Sequence, residues 1–179
     1  MGLEVIDACV MINLLATSLE VQFTRAIDRV WLVSQKARDE TMFLDSSPDA
    51  EGRRHRTVAD LSRLEGSGCL DVRLLDAEWT EAFVRCAEHL PDADASSVAL
   101  AGALHLPLAT DDPKERRVAA ALFPGIQLHS TLELLHDATV ALGLPQHELE
   151  RVAYDLRWRG NFLPPKRDAY RDWYRDLLR

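Results

Sequence analysis

Apolar positions along this chain fall into two patterns, short uninterrupted runs and longer stretches with helical spacing, and the two alternate. Leu3 to Ile6 is a compact apolar-rich run closed by Asp7, with helical patterning from near Cys9, which predicts a buried first strand feeding a strand-to-helix junction. Helical character continues through EVQFTRAIDR, and Val30 to Val33, β-branched and aromatic, predicts a second strand. Ser34 is placed to cap a helix over QKARDETMFL, residues 35–44, with Glu40 about two turns inside it. Asp45 to Arg54 collects Ser, Pro, Gly and charge and predicts a surface loop. Next, HRTVADLSRLEGSG reads as an amphipathic helix with Val58, Leu61 and Leu64 on one face, ending at Gly66 to Gly68. DVRLL predicts a third strand, and AEWTEAFVRCAEHL a helix that buries Trp79, Phe83 and Cys86.

Pro91 to Leu122 reads as helix, strand and helix with acids at both junctions. Its first helix is small and apolar (Ala95, Val98, Ala99, Ala101, Ala103), the LPLAT strand follows, and Asp111 and Asp112 close that strand. A short fifth strand is expected at Ile126 to His129. This alternation predicts an α/β fold, a doubly wound parallel sheet of four to five strands with helices on both faces. The junction acids would then lie at the carboxyl edge of the sheet, where open α/β folds bind ligands. From Ser130 onward the pattern is helical through TLELLHDATVALG, QHELERVAYDLRWRG and PKRDAYRDWYRDLLR, with breaks at Gly143, Pro145 and Gly160 to Pro165. The expected organisation is one domain over residues 1–130 and a helical C-terminal extension over 131–179.

A chain of 179 residues with 47% apolar and 28% charged positions supports one well-buried core. The net charge of -8 argues against bulk electrostatic coating of nucleic acid, which needs Lys and Arg on phosphates. Cys9, Cys69 and Cys86 are odd in number and form no CxxC pair, so they suggest neither a disulfide framework nor a zinc ribbon, and a reducing cytoplasm fits best. VMINLLA is not a signal peptide, because Glu4 and Asp7 precede it without a basic region, and Ile6 stands where myristoylation needs Ser or Thr. No stretch reaches the roughly 18 apolar residues of a bilayer span, so no membrane partner is expected.

Asp7, Glu40, Asp94 and Asp111 or Asp112 stand out together. Singly, Asp7, Asp94 and Asp112 each have an ordinary role at a helix start; Asp112, with Pro113 and Glu115 after it, is a good capping sequence. Capping does not require all of them at one edge of one sheet. Carboxylates crowded there repel and hold protons unless a cation compensates, and a site lacking His and Cys suits Mg²⁺ or Mn²⁺. Asp39 is adjacent to Glu40 and takes its place if the helix register differs by one. Asn13 either orients one of these carboxylates or faces solvent. Lys114, Arg116 and Arg117 directly follow the acids and are the better phosphate contacts, whereas Lys166, Arg167 and Arg171 interleave with Asp168 and Asp172 as a solvated helix face would. Cys9, without an adjacent base in an apolar helix, reads as a buried structural thiol rather than a nucleophile. Tail aromatics such as Trp158, Phe162 and Trp173 read as packing groups.

VIDACVMINLL, the helical Glu40, DASSVALAGALHLPLAT and the following DDPKERRVA resemble the PIN domain, especially small bacterial toxin-type PIN proteins (VapC-like), over roughly residues 3–130. The resemblance implies that Asp7, Glu40, Asp94 and Asp112 bind Mg²⁺ or Mn²⁺ for RNA cleavage, with Thr110 before the last acid and Asp111 assisting. It implies a hydrolase, a metal-dependent endoribonuclease whose chemistry leaves a 5′-phosphate and a 3′-hydroxyl. An antitoxin protein as partner and a homodimer are expected with it. The rival reading is a catalytically inactive PIN-like module that binds a protein partner. A receiver or phosphatase of related topology is the weaker third, since Asp7-Ala8-Cys9 lacks a second acid two residues on.

Overall fold

The computed structural model describes residues 2–40, 43–46, 49 and 51–179. Strand β1 (Gly2–Ile6) is buried from Glu4 onward, and Asp7 caps helix α1 (Ala8–Ala16) by accepting the Cys9 N–H. Helix α2 (Glu20–Ala26) and strand β2 (Arg29–Ser34) follow, and Ser34 caps α3 (Gln35–Asp39) through the Ala37 N–H. This last helix is shorter than its pattern predicts. Glu40 leaves it in an extended conformation (φ -60°, ψ 135°), and residues 41 and 42 of the expected helix lie outside the described residues.

Strand β3 (Phe43–Asp45) pairs antiparallel with β4 (Arg56–Val58) in a ribbon apart from the main sheet, where the apolar spacing predicts helix at both Phe43–Leu44 and Arg56–Val58. All of β4 is exposed, so a helix there would bury no apolar stripe, while Thr57 and Val58 are β-branched and favour the extended form. The loop expected at 45–54 joins these strands, with 47, 48 and 50 outside the described residues. Only α4 (Ser62–Gly66) remains of the amphipathic helix expected there, held by buried Leu64. Next come β5 (Leu70–Arg73), α5 (Thr80–Ala87), α6 (Asp92–Ala103), β6 (Leu108–Ala109), α7 (Pro113–Leu122), β7 (Leu128–His129), α8 (Thr131–Leu142), α9 (Gln146–Trp158) and α10 (Arg171–Leu177).

The main sheet is parallel throughout, with strand order β5-β2-β1-β6-β7. Its side chains alternate between two apolar layers. Ile6, Trp31, Val33 and Ala109 pack with residues of α1, α2, α8 and α9, and Val5, Leu32 and Leu108 with residues of α5, α6 and α7. The fold is therefore the doubly wound α/β arrangement that the alternation predicts. Residues 131–179 contribute Leu132, Leu135, Leu156 and Tyr174 to the layer that holds Met11 and Leu14 of α1. No described helix is long and apolar enough to cross a membrane.

Strand order reverses between β1 and β6. The chain runs outward from β1 through β2 to β5, then crosses back to place β6 and β7 on the other side. Crossovers that leave in opposite directions open a crevice at the carboxyl ends of the two neighbouring strands. Asp7 follows one of these strands, and Thr110 to Asp112 follow the other.

Candidate metal centre

Asp7, Asp94 and Glu115 meet at this crevice, each presenting a carboxylate oxygen within 4.8 Å of the other two. Asp7 is held by the strand end, where its N–H donates to Ala109 O (3.0 Å), and by its cap bond from Cys9 N (3.4 Å). Asp94 comes from the first turn of α6. That helix is drawn against the sheet by small residues and by the Ser34–Ser96 hydroxyl bond (2.5 Å), which ties it to the end of β2. Glu115 comes from the first turn of α7, whose start is fixed by Asp112 Oδ1 accepting from Lys114 N (2.6 Å) and Glu115 N (3.1 Å).

Glu115 is the residue that sequence reasoning missed as a site acid, because its position suits a capping box. The structure shows another arrangement. Asp112 N–H donates to Thr110 Oγ1 (3.1 Å), and the Thr110 hydroxyl donates to Glu115 Oε2 (2.5 Å), so the Glu115 carboxyl is turned inward. The signal was present in the pattern: Val118 and Ala119, three and four residues on, are buried, and Glu115 is an acid on that same apolar stripe.

Electrostatics mark the trio as an arrangement with an unmet need. Asp7 is 2% exposed and Glu115 fully buried. Burial first, and then the charge of Asp94, pushes the Asp7 carboxyl up to about 7. Burial, and then the charge of Asp7, pushes Glu115 up to about 10. Each of the two carboxyls thus disfavours ionisation of the other, and the pair holds protons above the ordinary carboxylate range. Half-exposed Asp94 is raised by burial and by Asp112. Glu115 Oε1 is buried without a hydrogen-bond partner among the described residues.

The other expected acids lie outside the compact trio. Glu40 is exposed, and its carboxyl is raised by partial burial and by the charge of Asp94. Asp39, the alternative, is occupied by Gln35 Nε2 (2.6 Å) and lies 3.8 Å from Arg38. Asp112 keeps its capping role and is not one of the compact trio. Asp111 turns away: it accepts from Thr131 N (3.0 Å), Thr131 Oγ1 (2.5 Å) and Asn13 Nδ2 (3.4 Å), binding α1 to the start of α8. Asn13 is accordingly buried and serves Asp111 and Thr131, neither facing solvent nor orienting the trio. Of the three following cations, Lys114 and Arg117 are exposed. Arg116 donates to Thr110 O (2.8 Å), His129 O (2.9 Å) and Leu128 O (3.2 Å).

Three carboxylates of hard oxygen donors, two of them proton-holding and one with an orphaned oxygen, fit Mg²⁺ or Mn²⁺. A divalent cation there would replace the protons and satisfy the orphan, whereas a site for a soft metal would need the sulfur or imidazole that is missing from the trio. Comparison of the chain with family models, curated proteins and solved structures finds no match.

Proposed function

We propose that this protein is a Mg²⁺- or Mn²⁺-dependent endoribonuclease. The observation that carries this reading is the convergence of Asp7, Asp94 and Glu115 at the reversal point of a parallel sheet, with burial and mutual repulsion raising the two innermost. The sequence resemblance to PIN-domain proteins adds RNA as substrate, and the toxin of a toxin–antitoxin pair as its setting.

Asp7, Asp94 and Glu115 would hold the cation. A bound divalent cation supplies Lewis acidity toward a phosphodiester oxygen and toward water. The chain does the rest. Thr110 fixes the Glu115 carboxylate through its hydroxyl. Asp112 uses Oδ1 for both cap bonds, which leaves Oδ2 to take a proton from the attacking water. Glu40, outside the trio, is a further acid within electrostatic reach of Asp94. Water adds to phosphorus as its proton passes to Asp112, the bond to the 3′-oxygen breaks, and that oxygen takes a proton from solvent, giving 5′-phosphate and 3′-hydroxyl ends.

The test is cleavage of single-stranded RNA with Mn²⁺, compared among the parent, Asp7→Asn and Asp94→Asn. Loss of roughly a hundredfold or more in rate is expected for each, with cleavage abolished by EDTA. Variants that cleave as fast as the parent would sink the reading. A parent that neither binds Mn²⁺ nor cleaves would leave the inactive binding module standing instead.

A further inference from the structure

The segment between α9 and α10 walls a groove that starts beside the acid trio. A cavity of about 440 Å³ runs from Cys9 and Ile12 past Asn161 to Leu163, and one of about 550 Å³ continues it past Arg116 to Lys166 and Arg167. The two share Asp111, Pro113 and Pro165, so they form one continuous trough. Its beginning adjoins the trio, since Cys9 N donates to Asp7.

The wall is built in place. Gly160 lies so close to α1 that an added Cβ would meet Leu156 O at 3.0 Å, Asn13 Oδ1 at 3.2 Å and Ala16 Cβ at 3.3 Å. Phe162 is buried against Tyr174 (5.7 Å between ring centres), and Asp45 N donates to Arg159 O (2.9 Å). Of the two acids that line the trough, Asp111 has both oxygens engaged by Thr131 and Asn13, and Asp168 accepts from Tyr170 N (2.8 Å) through one of its two. Lys166 and Arg167 are exposed, and no carboxylate lies within 4.0 Å of either among the described residues. In a chain of net charge -8, where cations such as Arg53 and Arg151 are ion-paired, two unpaired cations facing a trough are free to meet an anion.

We propose that this trough carries a single-stranded RNA segment flanking the scissile phosphate, with Lys166 and Arg167 contacting its backbone phosphates. The assignment rests on the ribonuclease reading for the position of the cut, and on the trough itself for the strand. Apolar wall residues, including Ile12, Pro113, Pro165 and the 71% exposed Leu163, offer surface to unstacked bases. A duplex hides its bases and could not use them.

The experiment measures anisotropy of a short fluorescein-labelled oligoribonucleotide of randomised sequence, in EDTA, across a salt series. It compares the parent, the Lys166→Ala/Arg167→Ala double variant, and Arg151→Ala as a paired-cation control. Cleavage of the same probe with Mn²⁺ is followed in parallel, and Mn²⁺-induced thermal stabilisation checks that the trio is intact. The expected result is affinity roughly tenfold lower in the double variant, with the slope of log K against log salt reduced by about 0.7 per lost contact, and Arg151→Ala unchanged. Equal binding by parent and double variant overturns the proposal, as does a parent that binds no single strand or prefers the annealed duplex. Binding that depends on Lys166 and Arg167 without any cleavage supports the trough and removes the ribonuclease reading instead. Cleavage of the probe at parental rate by the double variant, with unchanged binding, does the opposite.

Discussion

At the scale of single residues, Glu115 decides what the crevice can do. Its carboxyl is fully buried, shares an oxygen with the Thr110 hydroxyl, leaves the other unpartnered, and faces Asp7. Without a cation such a group is a liability, because ionising it places a second charge beside Asp7 away from water. At pH 8 the folded chain therefore keeps a proton on Glu115 that the unfolded chain releases, and an amide keeps the shape without that cost. Glu115→Gln is therefore expected to melt higher than the parent in EDTA at about pH 8, by a few degrees, given about 2–4 °C per kcal/mol for a chain of this size. The same variant should gain almost nothing from Mn²⁺, while the parent gains several degrees, as linkage to a bound ion requires. Thermal melts of both proteins with and without Mn²⁺ check this; an equal Mn²⁺ effect in the two would remove Glu115 from the site.

At the scale of elements, the carboxyl edge is held by very little backbone, since β6 and β7 are two residues each. Arg116 compensates. Its guanidinium bonds Thr110 O, His129 O and Leu128 O, clamping both strand ends and the turn that presents Thr110 and Asp112. Hydrogen bonds to a charged group contribute about 1.5–3 kcal/mol each, so Arg116→Ala should lower stability by several kcal/mol, and Arg116→Lys, lacking the planar fork, should recover only part of it in denaturant melts. A phosphate-contact pattern assigns this arginine to substrate, yet nothing in one sequence says that the carbonyls of two short strands need a donor. The strands that form the sheet were legible because β1 and β2 are continuous apolar runs. Asp7 and Asp94 were legible with them, because each follows from a strand end or helix start, whereas the strand order that reverses between β1 and β6 was not, since apolar spacing does not say which strands pair. Glu115 was hidden because a buried, inward-turned acid and a capping acid look alike in sequence and differ only in which way the side chain turns. Glu40 lies within electrostatic reach of Asp94 but not in the helix its pattern suggests: the helix over 35–44 ends at Asp39, and the β3–β4 ribbon that follows is short and mostly solvent-facing, which leaves only weak periodicity.

At the scale of the whole molecule, the proton-holding groups act in one direction. Asp7 rises from 3.8 to about 7 and Glu115 from 4.5 to about 10, burial being the larger cause for both. His129 is raised first by its hydrogen bond to buried Glu4, and partial desolvation opposes this. A group whose folded pKa lies above its unfolded value stabilises fully below the unfolded pKa and loses that contribution as pH climbs through the folded one. The acids therefore begin to lose it above about pH 4, Asp7 completing its loss near pH 7 and Glu115 near pH 10, while His129 adds its own loss above about pH 6.5. Each tenfold gain in proton affinity on folding corresponds to about 1.4 kcal/mol, so the buried pair alone makes this a change on the order of several kcal/mol. The EDTA-treated protein should thus melt progressively lower from pH 5 toward pH 9, opposite to a protein stabilised by ionised, paired carboxylates. Mn²⁺ at saturating concentration should reverse the trend across the part of the range where Asp7 and Glu115 titrate, because the cation binds the ionised trio and releases its protons. Melting temperature against pH, with EDTA and with Mn²⁺, gives both curves. If the two remain parallel from pH 5 to 9, the cation does not bind at the trio, and the acids at the reversal point would be an electrostatic burden with no compensating ion.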